Sequence, residues 1–157
     1  MSLRARVLRW LGHRRWFAAA GRRFGAPLDR FLYRVTRGRL ASTAGVAPLI
    51  LLTTTGRRTG RPRTTPVMFV REGDRFIVSS ENFGQERAAA WPLNLLAHPQ
   101  ATVQIGAEVV RCAARLLDDA EADRYWPRLV DAWPAHETYR ARSGKRHTFL
   151  LEPQRSR

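Results

Sequence analysis

The chain has 157 residues, 44% hydrophobic and 26% charged, with 28 Lys and Arg against 13 Asp and Glu for a net charge of +15. A domain of this size buries roughly 68–70% of its extended surface, so a packed core is within reach and a disordered or collagen-like chain is excluded. The single cysteine, Cys112, excludes an internal disulfide and a cysteine-rich zinc site, and no run of about 18 apolar residues offers a bilayer-spanning helix.

The charge is blocked rather than even. Residues 1–40 carry 11 Arg against Asp29, further basic blocks lie at 57–75 and 140–157, and the acidic excess falls between 81 and 139. Such blocks point to an anionic partner: nucleic acid, lipid head groups or a polyanionic small molecule. Charge alone does not choose among them.

In chain order, Leu3, Val7 and Leu11 fall at helical spacing among Arg4, Arg6, Arg9, Arg14 and Arg15. Phe24, Leu28, Phe31, Leu32 and Val35 repeat the pattern, with Pro27 in the first turn. Arginines throughout the first stretch argue against a secretory signal. The basic stretch reads in two ways. Either it lies on an anionic membrane with Trp10, Trp16 and Phe17 inserted, or it packs on the rest of the chain; the charge favours the membrane. Residues 1–40 are therefore taken as a basic helical extension and 41–157 as the main domain.

From Ala47 the texture turns to strand. Residues 49–55 read as a first strand, Gly56 to Gly60 as punctuation, 64–70 as a second strand, 72–74 as a turn and 75–80 as a third strand. Residues 85–97 read as a helix with Pro92 near its start, ended by Pro99. Residues 101–105 and 108–117 form a hairpin around Gly106-Ala107, and Asp118 or Asp119 caps a helix running to about Trp133. A short helix after Pro134 and a strand at 146–151 follow. The class is α+β, mainly β: about six antiparallel strands, closed into a barrel to remove edges, with N-terminal and inserted helices.

The chemistry concentrates in Leu51 to Pro66. Gly56 and Gly60 let the backbone turn and approach a ligand closely, while Arg57, Arg58, Arg61 and Arg63 supply forked, fixed positive charge suited to phosphate or carboxylate. Successive N–H groups in such a turn form an anion-binding nest. The spacing fits neither a Walker loop nor the G-x-G-x-x-G dinucleotide pattern. An ordinary basic hairpin turn is the competing reading.

The run Leu-Leu-Thr-Thr-Thr-Gly-Arg-Arg-Thr-Gly, with Arg63 and Pro66, is followed by Trp91-Pro92-Leu93-Asn94-Leu95, Ala97-His98-Pro99, Tyr125-Trp126-Pro127 and a closing Leu-Glu-Pro. From about Val46 to Pro153 this resembles the deazaflavin-dependent nitroreductase family. The resemblance implies a split β-barrel binding reduced coenzyme F420, ahead of FMN, and passing hydride to quinones, nitroaromatics or other electron-poor acceptors. It implies that Thr55, Arg57, Arg58, Thr59, Gly60 and Arg63 hold the phosphate and tail, that Pro66 lies near the ring, and that Trp91 and Asn94 border the cofactor. Many relatives have lysine where Arg58 stands. The residues themselves leave two alternatives for Trp91 and Asn94: core packing for the indole, and a local cap or bridge for the carboxamide.

The acceptor side, by the same resemblance, is lined by Ser80, Glu81 and Phe83 and by Trp133, His136 and Tyr139. Phe83 occupies a small-residue position, which narrows the pocket. Some relatives carry tyrosines at the positions of Trp133, His136 and Tyr139, of which only the last is kept. Tyr139 and His136 are the candidate proton donors, imidazole because it titrates near neutrality; a solvated surface histidine is the plain reading of His136. The four histidines show no ligand spacing, so no metal is expected, and Ser79, Ser80 and Cys112 lack a nucleophile signature. The expected protein is cytoplasmic, with or without peripheral attachment to the inner face of the membrane, and its partner is a small-molecule acceptor. Two further readings stand beside the enzyme: a non-catalytic carrier of a flavin, deazaflavin or lipid-like ligand, and a basic nucleic-acid-binding protein. The second lacks a reading motif or stacking platform, so no specific nucleic acid is expected.

Overall fold

The computed structural model describes Phe31 and residues 48–81, 89–143 and 147–154. Apart from Phe31, the helices expected at 3–20 and 24–35 lie outside these residues, as does Phe83. Among the described residues from 48 to 154, six strands, β1 (Leu49–Thr55), β2 (Pro62–Glu72), β3 (Arg75–Ser80), β4 (Gln100–Ile105), β5 (Glu108–Leu116) and β6 (His147–Pro153), join three helices, α1 (Ala90–Ala97), α2 (Asp119–Ala132) and α3 (Ala135–Ser143). The strands form a closed barrel in the order β1-β2-β3-β6-β5-β4, antiparallel throughout. Closure between β1 and β4, with Leu52 opposite Val103, removes the two edges that an open sheet would expose.

Strand alternation decides which residues fill the interior. Ile50 and Leu52, Val67 and Phe69, Phe76 and Val78, Ala101 and Val103, Cys112, and Phe149 and Leu151 form one buried cluster, joined by Leu95 of α1 at the barrel end. Burying a Leu or Phe of this kind stabilises by roughly 1.5–3 kcal/mol. The outer parity of β2, β3 and β6 is apolar as well, at Val70, Ile77 and Leu150, and α2 covers it with Ala122 and Leu129. Trp133, Ala135 and Tyr139 pack on Met68, which seats the start of α3 over the outside of β2.

Local signals set the boundaries. Gly73 (φ 61°) and Gly106 (φ 60°) turn the β2–β3 and β4–β5 hairpins in the left-handed region. Asp118 caps α2: its carboxylate accepts from the Glu121 N–H at 2.8 Å, and the Glu121 carboxylate accepts from the Asp118 N–H at 3.2 Å. Pro92 is the third residue of α1, within the turn whose N–H groups need no helical partner. Strand β2 is longer than the sequence expects. Pairing with β1 carries it back to Pro62 opposite Thr55, and pairing with β3 carries it on to Glu72 opposite Arg75.

Candidate functional site

The turn between β1 and β2 is built by its backbone. The Gly56 N–H donates to the Arg61 carbonyl at 2.9 Å, and the Thr59 and Gly60 N–H groups donate to the Gly56 carbonyl at 3.1 and 2.7 Å. Gly60 sits at φ 65°, a conformation that side chains disfavour. A Cβ on Gly56 would stand 3.0 Å from Thr59 Oγ1 and 3.1 Å from the Arg61 carbonyl oxygen, so the turn closes tightly only without one. Thr59 Oγ1 also accepts, at 3.4 Å, from the Arg61 N–H, which commits part of that hydroxyl to the turn itself.

Arg57, Arg58, Arg61 and Arg63 are exposed on this frame. Four other arginines stand within 4 Å of a carboxylate: Arg75 of Glu152, Arg115 of Glu121, Arg128 of Glu72 and Arg140 of Asp123. The turn therefore presents four exposed guanidinium groups with no carboxylate partner among the described residues.

Asn94 takes the bridging alternative. It is buried on α1, its Oδ1 accepts from the Arg57 N–H at 3.1 Å, and its Nδ2 donates to Thr54 Oγ1 at 3.0 Å. Trp91, one helical turn earlier, packs on Phe149 with ring centroids 5.9 Å apart, at the rim of the barrel core. Thr55 faces Pro62 across the start of the turn, and Pro66 lies half-buried on β2 opposite Leu51. Thr53 and Thr64 join the same two strands by a hydroxyl–hydroxyl bond of 2.8 Å.

A second polar centre lies past the end of β3, beside the middle of β2. Glu81, just past β3, and His136, on the first turn of α3, are both buried, with His136 Nδ1 2.6 Å from Glu81 Oε2. Ser79 Oγ donates to Glu81 Oε1 at 2.5 Å and lies 3.0 Å from Thr148 Oγ1, so four buried polar side chains form one chain. The His136 ring meets Trp126 edge-on at 6.1 Å, and the Arg140 guanidinium stacks over that indole at 4.7 Å. His136 is thus an interior residue, which corrects the solvated surface reading: its neighbour on α3, Ala135, packs beside Trp133 on Met68 and draws the helix onto the barrel. Tyr139 is also buried. Burial holds its hydroxyl above the ordinary tyrosine range, with Trp133 and Arg142 acting in the opposite direction.

Among the expected acceptor-side residues, Glu81, Trp133, His136 and Tyr139 come together. Ser80 separates from them, sharing the parity of Phe76 and Val78, which face the barrel interior. Sequence reasoning missed the contributions of Thr54, Ser79 and Thr148. It named Glu81 and His136 without joining them, since a separation of 55 residues carries no spacing signal.

A closed antiparallel six-stranded barrel with an unneutralised arginine turn and a buried polar centre beside its strands defines a split-barrel protein of the flavin and deazaflavin oxidoreductase class. The family model described as F420H(2)-dependent quinone reductase matches residues 28–152, and the chain belongs to that family, whose members use coenzyme F420. The F420H(2)-dependent quinone reductase Rv1261c of Mycobacterium tuberculosis is 33% identical over 98 residues, a match covering 60% of this chain and 66% of the relative's length. A solved F420-H2 dependent reductase, FDR-A, is 30% identical with a TM-score of 0.62 and covers 67% of this chain and 94% of that one. The heme storage protein HutZ of Vibrio cholerae, 15% identical at a TM-score of 0.53 over 82% of this chain and 92% of its own, shares the fold alone. Among the described residues no helix is long and apolar enough to cross a membrane.

Proposed function

We propose that the chain binds reduced coenzyme F420 at the β1–β2 turn and catalyses hydride transfer to a quinone. The observation that carries this reading is the exposed set Arg57, Arg58, Arg61 and Arg63, without a carboxylate partner among the described residues, on a turn whose backbone is held by bonds of Gly56, Gly60 and Asn94. The donor set fits the group. Coenzyme F420 carries a phosphodiester and an oligoglutamate tail, and guanidinium forks pair with phosphate and carboxylate oxygens two at a time. The charge then finds its partner in the cofactor, and nucleic acid is not needed to account for it.

When bound, the reduced deazaflavin supplies a hydride from its C5. The chain supplies position and exclusion of water. Thr55, Arg57, Arg58, Thr59, Gly60 and Arg63 hold the anionic arm, with Pro66 further along β2 on the side of the ring. Strand β2 leaves the turn at Pro62 and reaches Met68, under α3, about 20 Å further on at roughly 3.3 Å per residue. One strand thus links the anion grip to the Trp133, His136 and Tyr139 side, where the acceptor docks. Nitroaromatics accept the same hydride and are expected substrates of the second rank. The basic residues 1–40 suit an anionic membrane surface, which is where lipid-soluble quinones reside.

The test mixes the purified chain with reduced F420 and menadione and follows oxidation of the cofactor above the uncatalysed rate. Tight binding without turnover would replace the enzyme by a carrier of the same fold.

A further inference from the structure

We infer that His136, oriented by Glu81, is the acid that gives the acceptor its proton. This rests on the quinone reductase reading and deepens it.

Ser79 has one hydroxyl proton, and it is directed to Glu81 Oε1, so Thr148 must be the donor in the 3.0 Å contact with Ser79 Oγ. Glu81 therefore accepts from Ser79 on one oxygen and meets His136 Nδ1 on the other. A carboxylate at Nδ1 fixes the tautomer and the plane of the ring, and leaves Nε2 as the free end of the chain. That nitrogen is fully buried and has no hydrogen-bond partner, on a residue only 5% exposed. Buried polar atoms are nearly always paired, so an orphan at the end of a satisfied network marks the place of a ligand's polar atom. The same residues lie beside Trp126 and next to the Trp133, Ala135 and Tyr139 cluster over Met68, on the strand that begins at the arginine turn.

A quinone needs what this nitrogen can give. The reduced cofactor, when bound, would supply two electrons and one proton to the quinone as hydride and release its second proton to solvent. The hydroquinone is complete only when one further proton reaches an oxygen: His136 acts as the imidazolium, protonated on both ring nitrogens beside the Glu81 carboxylate, its Nε2–H bond breaks, a second O–H bond forms, and the neutral ring keeps its Nδ1–H donated to Glu81. Water returns the proton to Nε2 after the product leaves. His136 is then a catalytic residue, and Glu81 a positioning residue with Ser79 and Thr148 behind it.

The test compares two acceptors in the full chain and in Glu81→Gln and His136→Gln. Menadione needs the proton, whereas the N-methylacridinium cation takes hydride without one. Each variant should lose at least tenfold more kcat on menadione than on the cation, with KM for menadione moving less than threefold. Equal losses on both acceptors, or no loss, overturn the inference. Since a buried pair tolerates substitution poorly, the native chain is also measured in D2O. There menadione turnover should slow at least twofold and cation reduction should not, and equal solvent effects overturn the inference. Independently of activity, the His136 imidazole nitrogen signals of the 15N-labelled protein, loaded with oxidised F420, should shift on adding menadione; signals unmoved at saturating quinone overturn it. A native chain that turns over neither acceptor removes the proposed function as well, whereas turnover without acceptor selectivity removes only the role of His136.

Discussion

Asn94 and Arg57 are 37 residues apart, yet the Asn94 carboxamide accepts the Arg57 backbone N–H at 3.1 Å and sets the first arginine of the turn in place from α1. Its other end donates to Thr54 Oγ1, so one buried side chain ties a helix, a strand end and a loop together. The placing of the first turn arginine thus depends on a residue that presents no charge. Asn94→Ala leaves the nearly inaccessible Thr54 hydroxyl and the Arg57 amide without their partner, at a cost of about 1–3 kcal/mol for an unsatisfied buried group. Urea unfolding should register that loss, and fluorescence titration should show weaker F420 binding. Asn94→Asp keeps an acceptor for Arg57 and lets Thr54 donate instead, so it should lose less on both counts.

The two glycines of the turn act by different physics, and substitution separates them. At Gly60 a Cβ meets nothing within 4 Å, but φ is +65°, so Gly60→Ala carries backbone strain of about 1–2 kcal/mol without a clash. Asn tolerates that region better than Ala, and Gly60→Asn should recover part of the stability. Gly56→Ala sets the new methyl 3.1 Å from the Arg61 carbonyl that the Gly56 N–H itself bonds, so the turn must open. Cofactor affinity should therefore fall more in Gly56→Ala than in Gly60→Ala. The reverse order would show that the closing bond is not what shapes the grip.

Much of the barrel was legible because strand-forming composition and turn glycines are local. Leu49 to Thr55 is rich in strand formers, Gly73 and Gly106 stand where their hairpins need positive φ, and the pair Asp118 and Asp119 marks the start of α2, where the structure makes Asp118 the cap. The arginine turn was legible for the same reason, since glycine and arginine chemistry are packed into eight consecutive positions. The buried polar network was not. Ser79, Glu81, His136 and Thr148 meet because β3, β6 and α3 converge, and a histidine preceding Glu137 in a polar helix looks solvated until the fold covers it. Asn94 was ambiguous likewise: Trp91 and Asn94 at helical spacing reveal a shared face and not which partner that face meets.

Electrostatic grip by exposed arginines carries a salt signature. Charge attraction at the surface is screened over about 10 Å at 0.1 M and about 3 Å at 1 M ionic strength, so affinity for intact F420 should drop steadily as salt rises. Arg57→Ala combined with Arg63→Ala removes two uncompensated guanidiniums from the turn without touching the core. The double variant should bind tail-bearing F420 at least tenfold more weakly, about 1.4 kcal/mol, and with a flatter salt dependence. A tail-less deazaflavin should lose less than threefold. Equal weakening of both ligands would mean that the turn supports the fold and does not hold the tail.

Alkaline stability should report on the barrel interior. Cys112 is fully buried on β5 within the main core cluster, and burial pushes its thiol from 9.0 up to about 11. The native state therefore keeps the proton that the unfolded chain releases first. Between pH 9 and 11 the unfolded state binds fewer protons than the native one, so unfolding becomes easier as pH rises through that window. Below pH 9 both states hold the proton and the contribution is complete. Tyr139, raised by burial in the same sense, adds to the decline above its ordinary value near pH 10. Urea midpoints measured from pH 8 to 11 should fall across this range. Cys112→Ala should flatten the part of the fall that begins near pH 9, at the expense of a lower midpoint throughout from the small cavity it leaves. The native thiol should also resist modification by thiol reagents at pH 8 until urea unfolds the chain. A midpoint that stays level to pH 11, or rapid labelling of the folded protein, would place the thiol at the surface and not inside the barrel.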